Sequence, residues 1–180
     1  MARTEVKLKR LFAIFLVLWS LPTAAAVDDP IDGPATVVDG DHLRVGGRVV
    51  RLYGIDAPDP GQRCPGPDRI HDCGHIAATG LMDLTAGLTR VNCEALGTGP
   101  DGITIARCRD SLGFDLSRQM LYTGWAFASP AAAAGFHAEE QRARTARRGM
   151  WKWQVTPPWV WRQKPDAGAT AGQRSDRRTE

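Results

Sequence analysis

Residues 37–60, VVDGDHLRVGGRVVRLYGIDAPDP, gather Asp39, Asp41, Asp56 and Asp59 around a glycine pair, with Arg51 among them. Ionised carboxylates only accept hydrogen bonds and repel one another; a hard divalent cation bound through oxygen removes that cost. With Gly46 and Gly47 as a two-residue turn, Val45 faces Arg48, Leu43 faces Val50, and Asp41 faces Leu52. Side chains directly opposite share a face, so Asp41 joins Val50, Leu52, Gly54 and Asp56 near one rim of a sheet. Ca²⁺ is one cation that accepts irregular oxygen sites of this kind. Taken alone, Asp-Gly-Asp also fits a plain turn with hydrated carboxylates. An EF-hand loop is excluded, because the twelfth residue counted from Asp39 is Val50 rather than glutamate. The same alternation sends Arg51 to the face opposite Asp41 and Asp56.

The elements that must hold this cluster are legible from periodicity. The segments ATVV, DHLRV and RVVRLYGI read as short strands, the last two as a hairpin. HIAATGLMDLTAGL places Ile76, Leu81, Leu84 and Leu88 on one helix face. RVNCEAL and ITIARCR form a second hairpin. DLSRQMLYTG reads as a helix capped by Asp115 and stopped by Gly124, and FHAEEQRARTARRG as a third helix ending at Gly149. Trp151 and Trp153 beyond it are core-covering aromatics. Strands first, one helix between hairpins and helices last is α+β order, and about five strands with about three helices suggest a small OB-type barrel.

The chain opens with a basic stretch, an apolar run and TAAA, the order of a secretory presequence with cleavage after Ala26. The expected organisation is residues 1–26 as signal peptide, 27–161 as the folded domain and 162–180 as a disordered polar tail. Of the net charge of +3, the presequence alone carries +3 and the tail +2, which leaves the domain at about −2. That is not the basic surface of a protein that binds nucleic acid through phosphate neutralisation alone. The run QRARTARRG splits its arginines between helix faces and reads as solvated surface.

Four cysteines in an exported chain imply two disulfides. A hairpin turning near Pro100 sets Cys93 opposite Cys108, which leaves Cys64 to Cys73 across CPGPDRIHDC. A zinc site at His71, Cys73 and His75 is the competing arrangement; an oxidising compartment favours the disulfide.

The long motif VVDGDHLRV…RVVRLYGIDAPDP, with LYTGWAFA and EEQRARTARRGMW after it, resembles the staphylococcal nuclease (thermonuclease) family from about Thr36 to Trp151. The resemblance implies an OB-fold barrel and Ca²⁺-dependent cleavage of phosphodiesters in DNA or RNA. Asp41 and Asp56 fall on the metal carboxylates, Ala57 on a backbone-carbonyl ligand, and Asp39 on an outer neighbour. Arg51 falls on the first of two phosphate-binding arginines, and Asp59 on the glutamate that activates water. For Arg51 to reach the metal, the strand must bulge or coil at the barrel rim.

Three departures stand out. Asp59 is one methylene shorter than the family's glutamate, and His42 replaces a threonine. The second arginine falls on Ile103 or Ile105, depending on register, and neither is an arginine. Arg107 lies four residues beyond Ile103, roughly 13 Å along a strand at about 3.3 Å per residue, too far to substitute. The expectation is an exported, monomeric, Ca²⁺-dependent nuclease of low activity, periplasmic or extracellular, acting on nucleic acid with single strands favoured and having no membrane contact after cleavage. The alternative is a catalytically inactive OB-fold binding module of the same family.

Overall fold

A computed structural model of the chain describes residues 30–164. The expected signal peptide, and all of the expected tail except residues 162–164, lie outside the described residues. Pro34 has no N–H to offer a ladder and splits the first extended stretch into β1 (Ile31–Gly33) and β2 (Ala35–Val37). The hairpin of β3 (His42–Val45) and β4 (Arg48–Leu52) has the expected register, with Leu43 opposite Val50 and Val45 opposite Arg48. Three short strands follow: β5 (Ile55–Asp56), β6 (Arg63–Pro65) and β7 (Ile70–Asp72). Helix α1 (Cys73–Thr85) leads to the second hairpin, β8 (Val91–Thr98) and β9 (Thr104–Arg109). The chain closes with α2 (Leu116–Thr123), β10 (Phe127–Ala128), α3 (Ala134–Thr145) and the one-turn α4 (Pro158–Trp161).

The main sheet runs β1-β8-β9-β4-β3-β2. Its two edge strands are neighbours in the chain, joined through Pro34, so the sheet has to curl until its edges meet at one segment. The architecture is mixed α+β, a curled sheet with four helices. The inward face carries Leu43, Val45, Val50, Leu52, Ala106 and Cys108, all buried. Fully burying a leucine such as Leu43 or Leu52 contributes roughly 1.5–3 kcal/mol.

Helix α1 begins two residues before the expected HIAATG start, because Asp72 caps it by accepting from the His75 N–H. Its buried stripe is Ala77, Gly80 and Leu81, while Ile76 is half-buried and Leu88 lies past the helix end. Small residues occupy this stripe because Trp125 packs directly over Gly80. Helix α2 has both expected caps, Asp115 accepting from the Arg118 N–H and Gly124 in the left-handed conformation. Helix α3 stops at Thr145 rather than Gly149: Arg147 turns left-handed at φ 51°. The Arg148 N–H then bonds Ala143 O and the Arg147 N–H bonds Arg144 O, the two bonds of a Schellman terminus.

Both expected disulfides form, Cys64–Cys73 and Cys93–Cys108. The first consumes the sulfur a zinc site would need, and His71 stacks on Trp153 with ring centroids 4.0 Å apart. Of the basic run, Arg142, Arg144 and Arg147 are exposed as expected and Arg148 is half-buried. Arg144 pairs with the buried Glu140 and lies 3.8 Å from the Trp151 ring centroid, and Arg148 lies 4.1 Å from that of Tyr122.

Candidate metal and phosphate site

The aspartates converge because a glycine lets two loops touch. A Cβ on Gly40 would lie 2.7 Å from the Ala57 Cβ and 2.9 Å from the Ala77 Cβ. The Asp39–Asp41 bend therefore packs flush against the residue that follows Asp56. Asp39 shapes the bend, its Oδ1 accepting from the N–H groups of Asp41 (3.1 Å) and His42 (2.8 Å). On the other strand, Gly54 turns the chain at φ 78° between β4 and β5, and Asp56 then pairs with Phe127 of β10.

That turn explains why face-counting misplaces Arg51. Strict alternation holds only inside β3 and β4; Asp41 precedes the first, and Asp56 follows a turn after the second. Arg51 reaches both acids, with Nε 3.6 Å from Asp41 Oδ2 and Nη2 3.8 Å from Asp56 Oδ1. Asp41 and Asp56 are only 5% and 6% exposed, so both need compensating charge. Ala57 is buried beside them and donates its N–H to Asp41 Oδ2 at 3.4 Å.

Two further cations meet the cluster. His42 turns its ring onto the acids, with Nδ1 2.9 Å from both Asp39 Oδ1 and Asp41 Oδ1. Arg162, assigned by sequence to the head of the polar tail, is instead the C-cap of α4. It donates from Nη2 to Asp56 Oδ2 at 2.5 Å, and from Nη1 to both Asp59 oxygens at 2.8 and 2.9 Å. Four carboxylates thus face three basic side chains. Gln62, fully buried, ties the arrangement together: its Oε1 accepts from the Asp59 N–H at 3.2 Å and its Nε2 donates to Thr156 O at 2.7 Å.

Nothing in the sequence singles out Gln62. Arg162 had one available signal, since it follows the aromatic PPWVW segment, whose packing anchors whatever comes next. Pro158 is buried and the Trp159 ring meets Phe127 edge-on at 5.6 Å.

The donor set fits a hard cation. Asp41 Oδ2 has only long contacts, 3.4 Å to Ala57 N and 3.6 Å to Arg51 Nε, which leaves a buried oxygen able to take a ligand. Asp56 Oδ1, by contrast, accepts from Arg162 Nη1 at 3.2 Å and lies 3.8 Å from Arg51 Nη2. Asp39, Asp41 and His42 also present potential ligand atoms within 4.8 Å of one another, with the ring acting as counter-ion to the two acids.

Beside these residues opens a cleft of about 370 Å³, lined by Arg51, Asp56, Ile105, Pro130 and Arg162 among others. Strand β9 runs parallel to β4 with Ile105 as the register partner of Arg51. Of the two possible positions for a second sheet arginine, Ile105 is therefore the one beside Arg51. Arg107 is engaged elsewhere, pairing with Glu94 at 3.3 Å and lying over Tyr53.

The charges shift one another. Burial works against a charged His42, yet Asp39 and Asp41 together push it up to about 10. Burial raises the Asp39 carboxyl, but the His42 contact outweighs it and holds the group below the usual range. For Asp41 burial dominates and the carboxyl is raised; burial also raises Asp59, against the pull of Arg162. The sign for His42 follows from linkage, since its folded value lies above its ordinary 6.5. Its stabilising contribution is complete below pH 6.5 and is lost as pH rises towards about 10. The melting temperature in chelator should fall across that window, and His42→Gln should flatten the fall; parallel profiles for the two proteins would refute the assignment.

No family model matches the chain. It is 30% identical over 132 residues to the succinoglycan biosynthesis protein ExoI of Rhizobium meliloti (strain 1021), a match covering 71% of this chain and 68% of that protein. Similarity at this level over two thirds of both proteins makes the chain a member of the family to which that succinoglycan biosynthesis protein belongs.

Proposed function

We propose that the protein is an exported, Ca²⁺-dependent phosphodiesterase of the thermonuclease type, acting on DNA or RNA with low activity. The observation that carries this reading is the convergence of Asp41 and Asp56 on Arg51, which together with Asp56 lines one cleft. Counting residues 31–37 as one strand kinked at Pro34, the sheet reads as a five-stranded barrel of the OB type with the site at its rim. The two disulfides support work outside the cytoplasm, and among the described residues no helix is long and apolar enough to cross a membrane.

In this reading Asp41, Asp56 and the Ala57 carbonyl hold the cation. When bound, Ca²⁺ would supply charge neutralisation at the phosphate. Arg51 binds a non-bridging oxygen and stabilises the extra negative charge as water adds to phosphorus. Asp59 takes a proton from that water at a carboxylate oxygen. The water oxygen bonds to phosphorus as the phosphorus–oxygen ester bond breaks, and the leaving oxygen takes a proton from solvent to depart as an alcohol. The raised Asp59 carboxyl suits a proton acceptor better than an ordinary aspartate does.

The test is cleavage of labelled single-stranded DNA and RNA in Ca²⁺ and then in chelator, with wild type beside Arg51→Ala. Chelator-sensitive cleavage that falls about 10²–10³-fold in the variant supports the enzyme. A second reading, a binding module without catalysis, is favoured by Ile105 beside Arg51 and by the hold of Arg162 on Asp59. Strand binding without cleavage in the same experiment supports the module.

A further inference from the structure

We infer that Arg162 is the second phosphate-binding guanidinium of this site, delivered from the C-terminal helix because the sheet leaves that place apolar. The inference rests on the phosphodiesterase reading and adds a residue to it.

A phosphorane carries more negative charge than the ground-state phosphate, and one guanidinium can fork only part of its equatorial oxygens. The sheet supplies Arg51 and, directly beside it in the parallel ladder, Ile105. Arg162 lines the same cleft. Its Nη1 lies 3.2 Å from Asp56 Oδ1, the oxygen that Arg51 Nη2 approaches at 3.8 Å. The two guanidinium groups thus flank one carboxylate oxygen at the mouth of the cleft, in reach of a common anion.

Arg162 is held there by construction. Its N–H bonds Pro158 O at 2.9 Å, Trp159 packs on Phe127, and Thr156 is bonded by Gln62, which also holds the Asp59 loop. The side chain itself is 38% exposed, free to change partners at the cleft.

In the ion-free protein Arg162 serves as counter-ion to Asp56 and Asp59. With a cation at the site Asp56 would no longer need Arg162 as its counter-ion, and a phosphate in the cleft would offer the fork a doubly forked acceptor in place of Asp59. Moving the fork from Asp59 to phosphate also frees both Asp59 oxygens to accept from water. One exchange of partners completes the anion site and releases the base.

The experiment compares wild type, Arg162→Ala, Arg162→Lys and, as a control away from the cleft, Arg142→Ala, an exposed arginine paired with Glu139. Steady-state cleavage of single-stranded DNA in Ca²⁺ is measured together with calorimetric titrations of Ca²⁺ and of a phosphorothioate dinucleotide. Arg162→Ala is expected to lower kcat about 10²–10³-fold and to weaken dinucleotide binding at least tenfold, with Ca²⁺ affinity equal or higher. Lysine should restore part of both, and Arg142→Ala should match wild type. Cleavage by Arg162→Ala within twofold of wild type overturns the inference, as does a fall in Ca²⁺ affinity that accounts for the lost rate. If wild type does not cleave, the phosphodiesterase reading fails separately, and dinucleotide binding decides. Binding lost in Arg162→Ala keeps the guanidinium as an anion ligand; equal or absent binding in the two proteins refutes it.

Discussion

On the proposed function, Asp56→Asn is expected to abolish Ca²⁺ binding and to lower cleavage by at least about 10²–10³-fold, the scale of losing one preorganised electrostatic partner. The substitution keeps the volume of a side chain that is 6% exposed, so packing is preserved while the charge is removed. Asp56 is also the point where Arg51 and Arg162 meet, so its loss leaves two guanidinium groups sharing a neutral amide. The ion-free variant should therefore be less stable as well, by about 1–3 kcal/mol, less than the loss of a fully buried pair because Arg162 is partly solvated. Calorimetry with Ca²⁺ and melting in chelator check the two effects independently. Retained Ca²⁺ binding in Asp56→Asn would remove this residue from the metal site.

The second large effect is at Cys64–Cys73. Closing loops of 9 and 15 residues, the two disulfides should each stabilise by about 2.5–3 kcal/mol in the chain-entropy picture. Their effects on activity should differ. Cys73 starts α1, and its N–H bonds Gln62 O at 2.9 Å, while the Gln62 N–H bonds Asp59 O at 2.9 Å. The loop carrying Asp59 therefore hangs from this crosslink. The serine pair at 64 and 73 should lose most cleavage even at temperatures where it stays folded, a shift of about 1 Å at a reacting group being worth on the order of 10²-fold. The pair at 93 and 108, in the β8–β9 hairpin, should lose stability with cleavage little changed below its melting point. Equal losses of activity in the two variants would deny the Asp59 loop its special dependence.

Much of the scaffold was legible in the residues because its signals are local. The Gly46–Gly47 turn sets the β3–β4 register, Asp115 and Gly124 bracket α2, and the cysteine spacing gives both pairings. The misreadings lie where local rules give way to tertiary ones. Period-two alternation put Arg51 on the wrong side because Gly54 interrupts the strand before Asp56. The choice between Ile103 and Ile105 is set by a parallel ladder between strands some fifty residues apart, which no short window contains. Composition turns polar after Arg162 and so places it at the head of a disordered polar tail, whereas its position is fixed by α4 packing on Phe127.

The self-neutralised site has a consequence for how the molecule matures. Small metal-dependent domains commonly stay unfolded until their ion arrives, because the ligands have no other partners. Here His42, Arg51 and Arg162 already answer the carboxylates, so the polypeptide can reach its final shape in a calcium-poor setting. Calcium would then act as a switch on a finished scaffold instead of a nucleus for its assembly, and raising its concentration should change turnover far more than it changes the melting temperature.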